Sequence, residues 1–199
     1  MNDVGYVLLA GGEGKRMGGR NKLNIPYKDS TFGEIIKSEL KEIGGKCFIS
    51  IANYNCDSFD DFQIVYDKVR DTNGGYIGPL GGIYSTLEEA ANTGLKGIYT
   101  VSCDMPFFNK KIFEAIDSYI DKYDIILIKT KDGHIHHTCG YYSVSTIPVL
   151  RDMIGDRNYR IRDAYSKCNT FILESDSLNL KEEWFRNINS TEEYKIITE

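Results

Sequence analysis

No run of about 18 apolar residues occurs in the 199-residue chain, so it offers no membrane-spanning helix. Its first residues pass straight into an apolar segment, without the basic, apolar and small-residue succession of a secretory leader, and the chain is expected to be cytoplasmic. Cys47, Cys56, Cys103, Cys139 and Cys168 stand singly with no C-x-x-C pair, which argues against a zinc site or disulfide framework and for reduced thiols. Basic residues fall short of acidic ones, 24 against 29, and the net charge of -5 opposes general nucleic-acid binding. No linker, repeat or low-complexity stretch divides the chain, so residues 1–199 are expected to form one domain around one large core.

What the sequence does have is concentrated near its start. Leu8 to Lys22, L-L-A-G-G-E-G-K-R-M-G-G-R-N-K, joins the end of an apolar run to a glycine-rich basic loop. Gly11, Gly12, Gly14, Gly18 and Gly19 let the backbone take positive φ and aim N–H groups at an anion, and Lys15, Arg16, Arg20 and Lys22 add positive charge. Two familiar phosphate motifs fail by spacing. A Walker loop needs Ser or Thr after Gly14-Lys15, where Arg16 stands, and a dinucleotide fingerprint from Gly12 and Gly14 meets Met17 at its third glycine position. The alternative is a glycine-rich surface loop with solvated lysines.

Beyond the loop, strands and helices alternate. Thr31 and Glu34 have capping-box spacing ahead of Phe32, Ile35, Ile36, Leu40 and Ile43, which predicts a helix stopped by Gly44-Gly45. Strands are predicted at Tyr6 to Leu9, Cys47 to Ala52, Gln63 to Tyr66 and Gly97 to Ser102, with a helix opened by Pro79 and closed at Asn92-Thr93-Gly94. The second half predicts a helix over Ile112 to Ile120, a strand at Asp124 to Lys129, and a hairpin turn at Asp132-Gly133 into Thr138 to Ser143. Two short helices, Val149 to Ile154 and Tyr159 to Ser166, a strand at Phe171 to Leu173 and a helix at Thr191 to Ile197 capped by Ser190 and Glu193 complete it. The pattern is α/β, with a mostly parallel sheet and an antiparallel excursion in the second half.

Ligands of open α/β sheets sit beyond the carboxyl ends of strands, which singles out the glycine loop, Asp67 and Asp104 in S-C-D-M-P. A carboxylate beside phosphates is repulsive unless a cation such as Mg²⁺ bridges them, so Asp104 is the candidate metal ligand; a turn or N-cap aspartate before Pro106 is the other reading. In G-P-L-G-G-I, Gly78 to Ile83, two glycines inside a helix are each about 1 kcal/mol worse than Ala, which points to a close approach by ligand or backbone, or to helix packing.

L-A-G-G-x-x-x-R-M-G-x-x-x-K, G-P-L-G-G-I and C-D-M-P together resemble the molybdenum cofactor guanylyltransferases, and His136 to Thr138 and N-I-N-S-T-E-E from Asn187 to Glu193 extend the resemblance over nearly the whole chain. It implies a Rossmann-like three-layer nucleotidyltransferase fold, with residues 1–106 as a nucleotide-binding half and 107–199 as an acceptor-binding half. GTP and Mg²⁺ are implied as requirements, molybdopterin as acceptor, and molybdoenzymes or other cofactor-biosynthesis proteins as protein partners. Residue by residue, it implies that Leu9, Ala10, Gly11 and Gly12 bind guanine and ribose, Lys22 and Arg16 bind phosphate, Asn53, Asp67 and Gly82 contact the nucleotide, and Asp104 holds Mg²⁺. Gly12 lacks the methyl group of the L-A-A-G form found in relatives that use CTP, leaving room for a purine. Asn21, where an acid often precedes the lysine, and Glu13-Gly14 depart from the pattern without removing a charge from the phosphate site.

The implied reaction is attack by the terminal phosphate of molybdopterin on the α-phosphorus of GTP, with pyrophosphate leaving. His134, His136 and His137 are expected to be solvated hairpin residues, with an acceptor role open for His136. Arg157, Arg160 and Arg162 are expected to meet the acceptor phosphate or lie solvated; Asn187 and Asn189 contact the acceptor by resemblance. Transfer to a sugar phosphate or another pterin, and a carrier that binds molybdopterin without chemistry, are the alternatives.

Overall fold

The computed structural model describes residues 3–11, 21–52 and 57–198. In chain order the strands are β1 (Val4–Leu9), β2 (Pro26–Tyr27), β3 (Ser30–Thr31), β4 (Cys47–Ile51), β5 (Gln63–Tyr66), β6 (Gly97–Ser102), β7 (Ile125–Lys129), β8 (Ile135–Ser143) and β9 (Thr170–Glu174). The α-helices are α1 (Phe32–Ile43), α2 (Pro79–Asn92), α3 (Lys111–Ile116), α4 (Ile147–Gly155) and α5 (Thr191–Thr198). Seven strands make one sheet in the order β5-β4-β1-β6-β8-β7-β9, in which β8 alone runs against the others; β2 and β3 form a separate small ribbon.

Both faces of this sheet are covered. Val4, Tyr6 and Leu8 of β1 pack with Ile36 and Leu40 of α1 and Ile112, Phe113 and Ile116 of α3, while Val7 and Leu9 face Leu80, Ile83 and Leu87 of α2 on the side that also holds α4. A strand buried on both faces has no polar alternation, which is why the start of the chain reads as a continuous apolar run. Tyr6, Tyr99 and Phe113 stack through the first face, with ring centroids 5.5 Å apart for the tyrosines and 4.8 Å for Tyr99 and Phe113.

The order of connections creates the crevice. From β1 the chain moves outward through α1 to β4 and β5, then α2 carries it back to β6 on the other side of β1. That reversal leaves the carboxyl ends of β1 and β6 side by side, with Leu9 paired to Ser102. Caps fix the helix starts: Thr31 Oγ1 accepts from Glu34 N at 3.2 Å, and Pro79 opens α2 after Gly78 at φ 75°. Among the described residues no helix is long and apolar enough to cross a membrane, and Cys47, Cys103, Cys139 and Cys168 are in no disulfide.

Several elements differ from the sequence reading. Tyr159 to Ser166 holds only a 3-10 turn at Ile161–Ala164, because Ile161 and Ala164 are its only buried side chains and cannot anchor a longer helix. The helix ahead of it begins at Ile147, and it is stopped by Arg157 at φ 58° rather than by Gly155, with Asn158 N bonded to Met153 O and Arg157 N to Ile154 O. The helix expected over Ile112 to Ile120 is α only to Ile116 and 3-10 over Asp117–Tyr119. Strand β8 begins at Ile135, so His136 and His137 lie within it, opposite a register shift in β7. The β2–β3 ribbon carries two residues per strand, too few for a period to register.

Gly140 of β8 lies so close to β7 that an added Cβ would collide with the Ile126 carbonyl oxygen and come within 2.9 Å of Leu127 Cδ2. Gly140→Ala is expected to lower stability by about 1–3 kcal/mol. Gly155→Ala, with nothing within 4 Å of the new methyl group, is expected to raise it by up to about 1 kcal/mol. Urea unfolding of both variants checks this, and equal stabilities would refute the packing assigned to β8.

Candidate active site

Four strand ends converge on one cleft. Cys103 N donates to Leu9 O at 3.0 Å, Ala10 N to Ser50 O at 2.8 Å and Asp67 N to Ile51 O at 2.9 Å, so the turns leaving β1, β4, β5 and β6 are tied to one another by backbone bonds. Leu9, Gly11, Ser50, Asp67, Ser102 and Asp104 line the cleft from the sheet, Gly78, Pro79 and Gly82 from the start of α2, and Lys22 and Thr138 close it. Ala10 is buried beneath it. A Cβ at Gly11 would meet nothing nearer than Ala52 N at 3.9 Å, so the turn leaves open space where a ligand would sit.

Lys22 and Asp104, 82 residues apart, form an ion pair with Nζ to Oδ2 at 3.0 Å. Lys22 Nζ also donates to Asn189 Oδ1 at 2.8 Å, which brings the C-terminal segment to the same point. Lys22 opens a short 3-10 turn capped by Asn21, whose side chain accepts from Leu23 N. The unusual Asn before the lysine thus has a local structural use. Ile188 N donates to Asp104 O at 2.8 Å, so the aspartate is held from its backbone as well. The other carboxylate oxygen, Asp104 Oδ1, is buried without a hydrogen-bond partner, as is Asn187 Oδ1. A buried carboxylate oxygen left unsatisfied is costly in an isolated protein and natural beside a cation. Among the described residues no group of three or more His, Cys, Asp or Glu side chains converges as a metal cage. The donor set therefore fits a hard cation shared between one carboxylate and phosphate oxygens, as Mg²⁺ sites are commonly built.

Asp67 is buried at the end of β5, its Oδ1 accepting from Val69 N at 2.9 Å and its backbone oxygen from Arg70 Nη1 at 2.7 Å. Burial pushes its carboxyl above the ordinary range, against the opposing pull of the Val69 N–H and the Arg70 guanidinium. Its carboxylate lies on the first turn of α2, where an added Cβ at Gly81 would stand 2.5 Å from Asp67 Oδ2. At Gly82 a Cβ would stand 2.8 Å from Ser50 Oγ. The close approach expected at these glycines is therefore to protein side chains, and Gly82 in addition lines the cleft.

The remaining candidates are placed unevenly. His136 is not a solvated hairpin residue: it is buried in β8, its Nε2 3.0 Å from Thr130 Oγ1 and its ring against Phe185. The cleft receives Thr138 from that strand instead. Arg157, Arg160 and Arg162 are exposed around the end of α4, and Arg157 is not among the cleft residues. Asn189 reaches Lys22 directly, a contact no local pattern predicts across 167 residues. Gly12, Arg16 and Asn53 lie outside the described residues. Ser50, Ser102 and Thr138 were missed as site residues; the signal for the first two is a hydroxyl near the end of a mainly apolar strand.

Residues 6–170 match the family of MobA-like NTP transferase domains. A molybdenum cofactor guanylyltransferase of Vibrio parahaemolyticus is 30% identical over 190 residues, covering 94% of this chain and 91% of that protein. Among solved structures, the molybdopterin-guanine dinucleotide biosynthesis protein A of Archaeoglobus fulgidus shares the fold with a TM-score of 0.80 at 17% identity, covering 98% of this chain and 96% of that one. A Mycobacterium tuberculosis protein solved in complex with manganese superposes with a TM-score of 0.66 at 16% identity, covering 99% and 98% of the two chains.

Burial first, and the neighbouring His134 next, push the His136 imidazole from 6.5 down to about 4, and burial also lowers His137. Between those values the unfolded chain binds a proton that the folded chain refuses, so stability is fully present above about pH 6.5 and falls as pH drops through about 4. His136→Gln, which keeps a polar atom for Thr130, is expected to reduce the loss of stability over that window. Urea midpoints measured from pH 7 to 4 check this, and an unchanged slope would assign the acid sensitivity to other groups.

Proposed function

The chain belongs to the molybdenum cofactor guanylyltransferases, and from that membership we propose that it transfers GMP from GTP to the terminal phosphate of molybdopterin, forming molybdopterin guanine dinucleotide. The observation that carries the reading is the pairing of the Lys22 ammonium with Asp104, whose second oxygen is buried and unsatisfied, beside the open Leu9 to Gly11 turn.

In the proposed step a phosphate oxygen of molybdopterin bonds to the α-phosphorus of GTP, the bond from that phosphorus to the bridging oxygen breaks, and pyrophosphate leaves with the electron pair. A phosphate monoester has its second pKa near 6, so the nucleophile arrives largely ionised and no side-chain base is needed. The chain's task is to hold two polyanions in line and offset their charge. The β1 turn receives the guanosine, with Gly12 as reader of the base. Lys22, and Arg16 beside it in sequence, bind phosphate oxygens. Asn53 and Asp67 contact the nucleotide. Asp104 would hold the divalent cation, Mg²⁺ in this reading, which when bound supplies positive charge to the phosphate oxygens. Residues 107–199 provide the acceptor side through Asn187 and Asn189, since His136 is buried against Phe185 and Arg157 is not among the cleft residues. In this reading the two halves meet where Asn189 reaches Lys22.

Pyrophosphate release with GTP, Mg²⁺ and molybdopterin tests the reading; release with a sugar phosphate and none with molybdopterin would overturn the acceptor. Lys22→Ala is expected to cut turnover by about 10²–10³-fold with the fold intact, the scale of losing one charged transition-state contact. Asp104→Asn is expected to move the metal titration to higher concentration, and an unaltered titration would place the ligand elsewhere.

A further inference from the structure

We propose that Glu193 is a positioning residue for the phosphate-binding lysine: its carboxylate fixes the backbone at Asn189 so that the Asn189 amide stays on Lys22 Nζ. The inference rests on the reading of Lys22 as a phosphate ligand given above.

In an ordinary capping box the acid three residues into a helix reaches back to the N–H of the cap residue. Glu193 does this for Ser190, with Oε2 3.1 Å from Ser190 N, while Ser190 Oγ accepts from Glu193 N at 3.1 Å. The same oxygen makes a second, shorter bond one residue further out, 2.6 Å from Asn189 N. Stabilising α5 needs only the first bond. The second fixes a peptide that lies outside the helix and carries the side chain bonded to Lys22 at 2.8 Å. The residues on either side are anchored as well: Ile188 N donates to Asp104 O at 2.8 Å and Tyr194 OH to Pro26 O at 2.9 Å, on the ribbon that follows Lys22. The whole segment is thus registered against both members of the ion pair.

Lysine carries its charge at the end of a flexible four-carbon stem, so an ammonium held by one partner swings about it. Asp104 alone would let Lys22 fold onto the carboxylate and neutralise it. The Asn189 oxygen supplies a second fixed point without adding charge, and two of the three ammonium N–H donors are then directed, leaving the third for a phosphate. Glu193 touches none of these groups and acts through the peptide it holds.

The test is GTP affinity of the full chain by titration calorimetry, with folding checked by circular dichroism. Glu193→Ala is expected to weaken GTP on the order of tenfold, the scale of losing one charge-assisted hydrogen bond. Glu193→Gln, whose amide oxygen accepts the same two N–H groups, is expected to restore most of it. Ser190→Ala removes the other half of the cap and is expected to change affinity by less than about twofold, although it weakens the same helix end. The double variant Asn189→Ala/Glu193→Ala is expected to bind no more weakly than Asn189→Ala alone, because both act along one chain of contacts. Should Glu193→Ala fail to fold, Glu193→Asp, one methylene short of the Asn189 N–H, is expected to show the same loss. Equal losses for Glu193→Ala and Ser190→Ala, or additive losses with Asn189→Ala, would reduce Glu193 to a helix cap and overturn the inference. Weakening by Lys22→Ala with none by Glu193→Ala overturns it alone, whereas no weakening by Lys22→Ala overturns the phosphate-site reading with it.

Discussion

The ion pair between Lys22 and Asp104 is the contact on which the site depends, and it makes little sense as a stabilising one. Its side chains are 15% and 14% exposed, buried enough to lose most of their hydration. At that depth the attraction between the charges is largely offset by the cost of desolvating them. The arrangement also leaves Asp104 Oδ1 unsatisfied, which adds to the cost. A pair retained on such terms is better explained by what binds beside it. Everything around it serves to hold it in place: β6 delivers the carboxylate, the 3-10 turn after Asn21 delivers the ammonium, and the segment from Ile188 to Tyr194 fastens both.

The sheet topology determines why that pair can exist. Because the connection through α2 reverses the direction of strand addition, β1 and β6 end together. The backbone bonds from Cys103 to Leu9 and from Ala10 to Ser50 make this a rigid floor. A flexible ammonium becomes a defined ligand only when its neighbours are fixed to within a fraction of an ångström. The aromatic stack of Tyr6, Tyr99 and Phe113 lies beneath that floor and binds β1, β6 and α3 into one packed layer.

Features written in adjacent residues were legible in the sequence. Gln63 to Tyr66 and Gly97 to Ser102 are strands with the expected bounds, the capping box of Ser190 with Glu193 forms in both directions, and Thr31 caps the Glu34 N–H. Features that depend on partners distant in sequence were not. The glycines of α2 signalled a close approach, but the approaching groups, Asp67 and Ser50, come from strands β4 and β5 and their ends, and nothing near Gly81 names them. His136 reads as a hairpin residue because the ring that covers it, Phe185, lies far along the chain, although its hydrogen-bond partner Thr130 is only six residues away. Asn189 was recognisable by family likeness, while its contact with Lys22 needed the fold.

Charge balance explains why a site proposed to take a triphosphate carries carboxylates. Among the described cleft residues Lys22 is the one cation and Asp67 and Asp104 are the acids, so the walls by themselves repel a polyanion. The two acids are handled differently. Asp67 is set on the first turn of α2, where backbone N–H groups favour negative charge, while burial raises its carboxyl and favours the proton. Asp104 instead has one oxygen on Lys22 and the other buried as an unsatisfied acceptor, which leaves it able to bind a cation without breaking its pair. That division requires the ammonium to stay on Oδ2 and off Oδ1. The Asn189 amide sets that position, and it is set in turn by a glutamate at the start of the last helix. In the proposed function the C-terminal segment is therefore part of the phosphate site, although in sequence it is the part farthest from the loop that begins it.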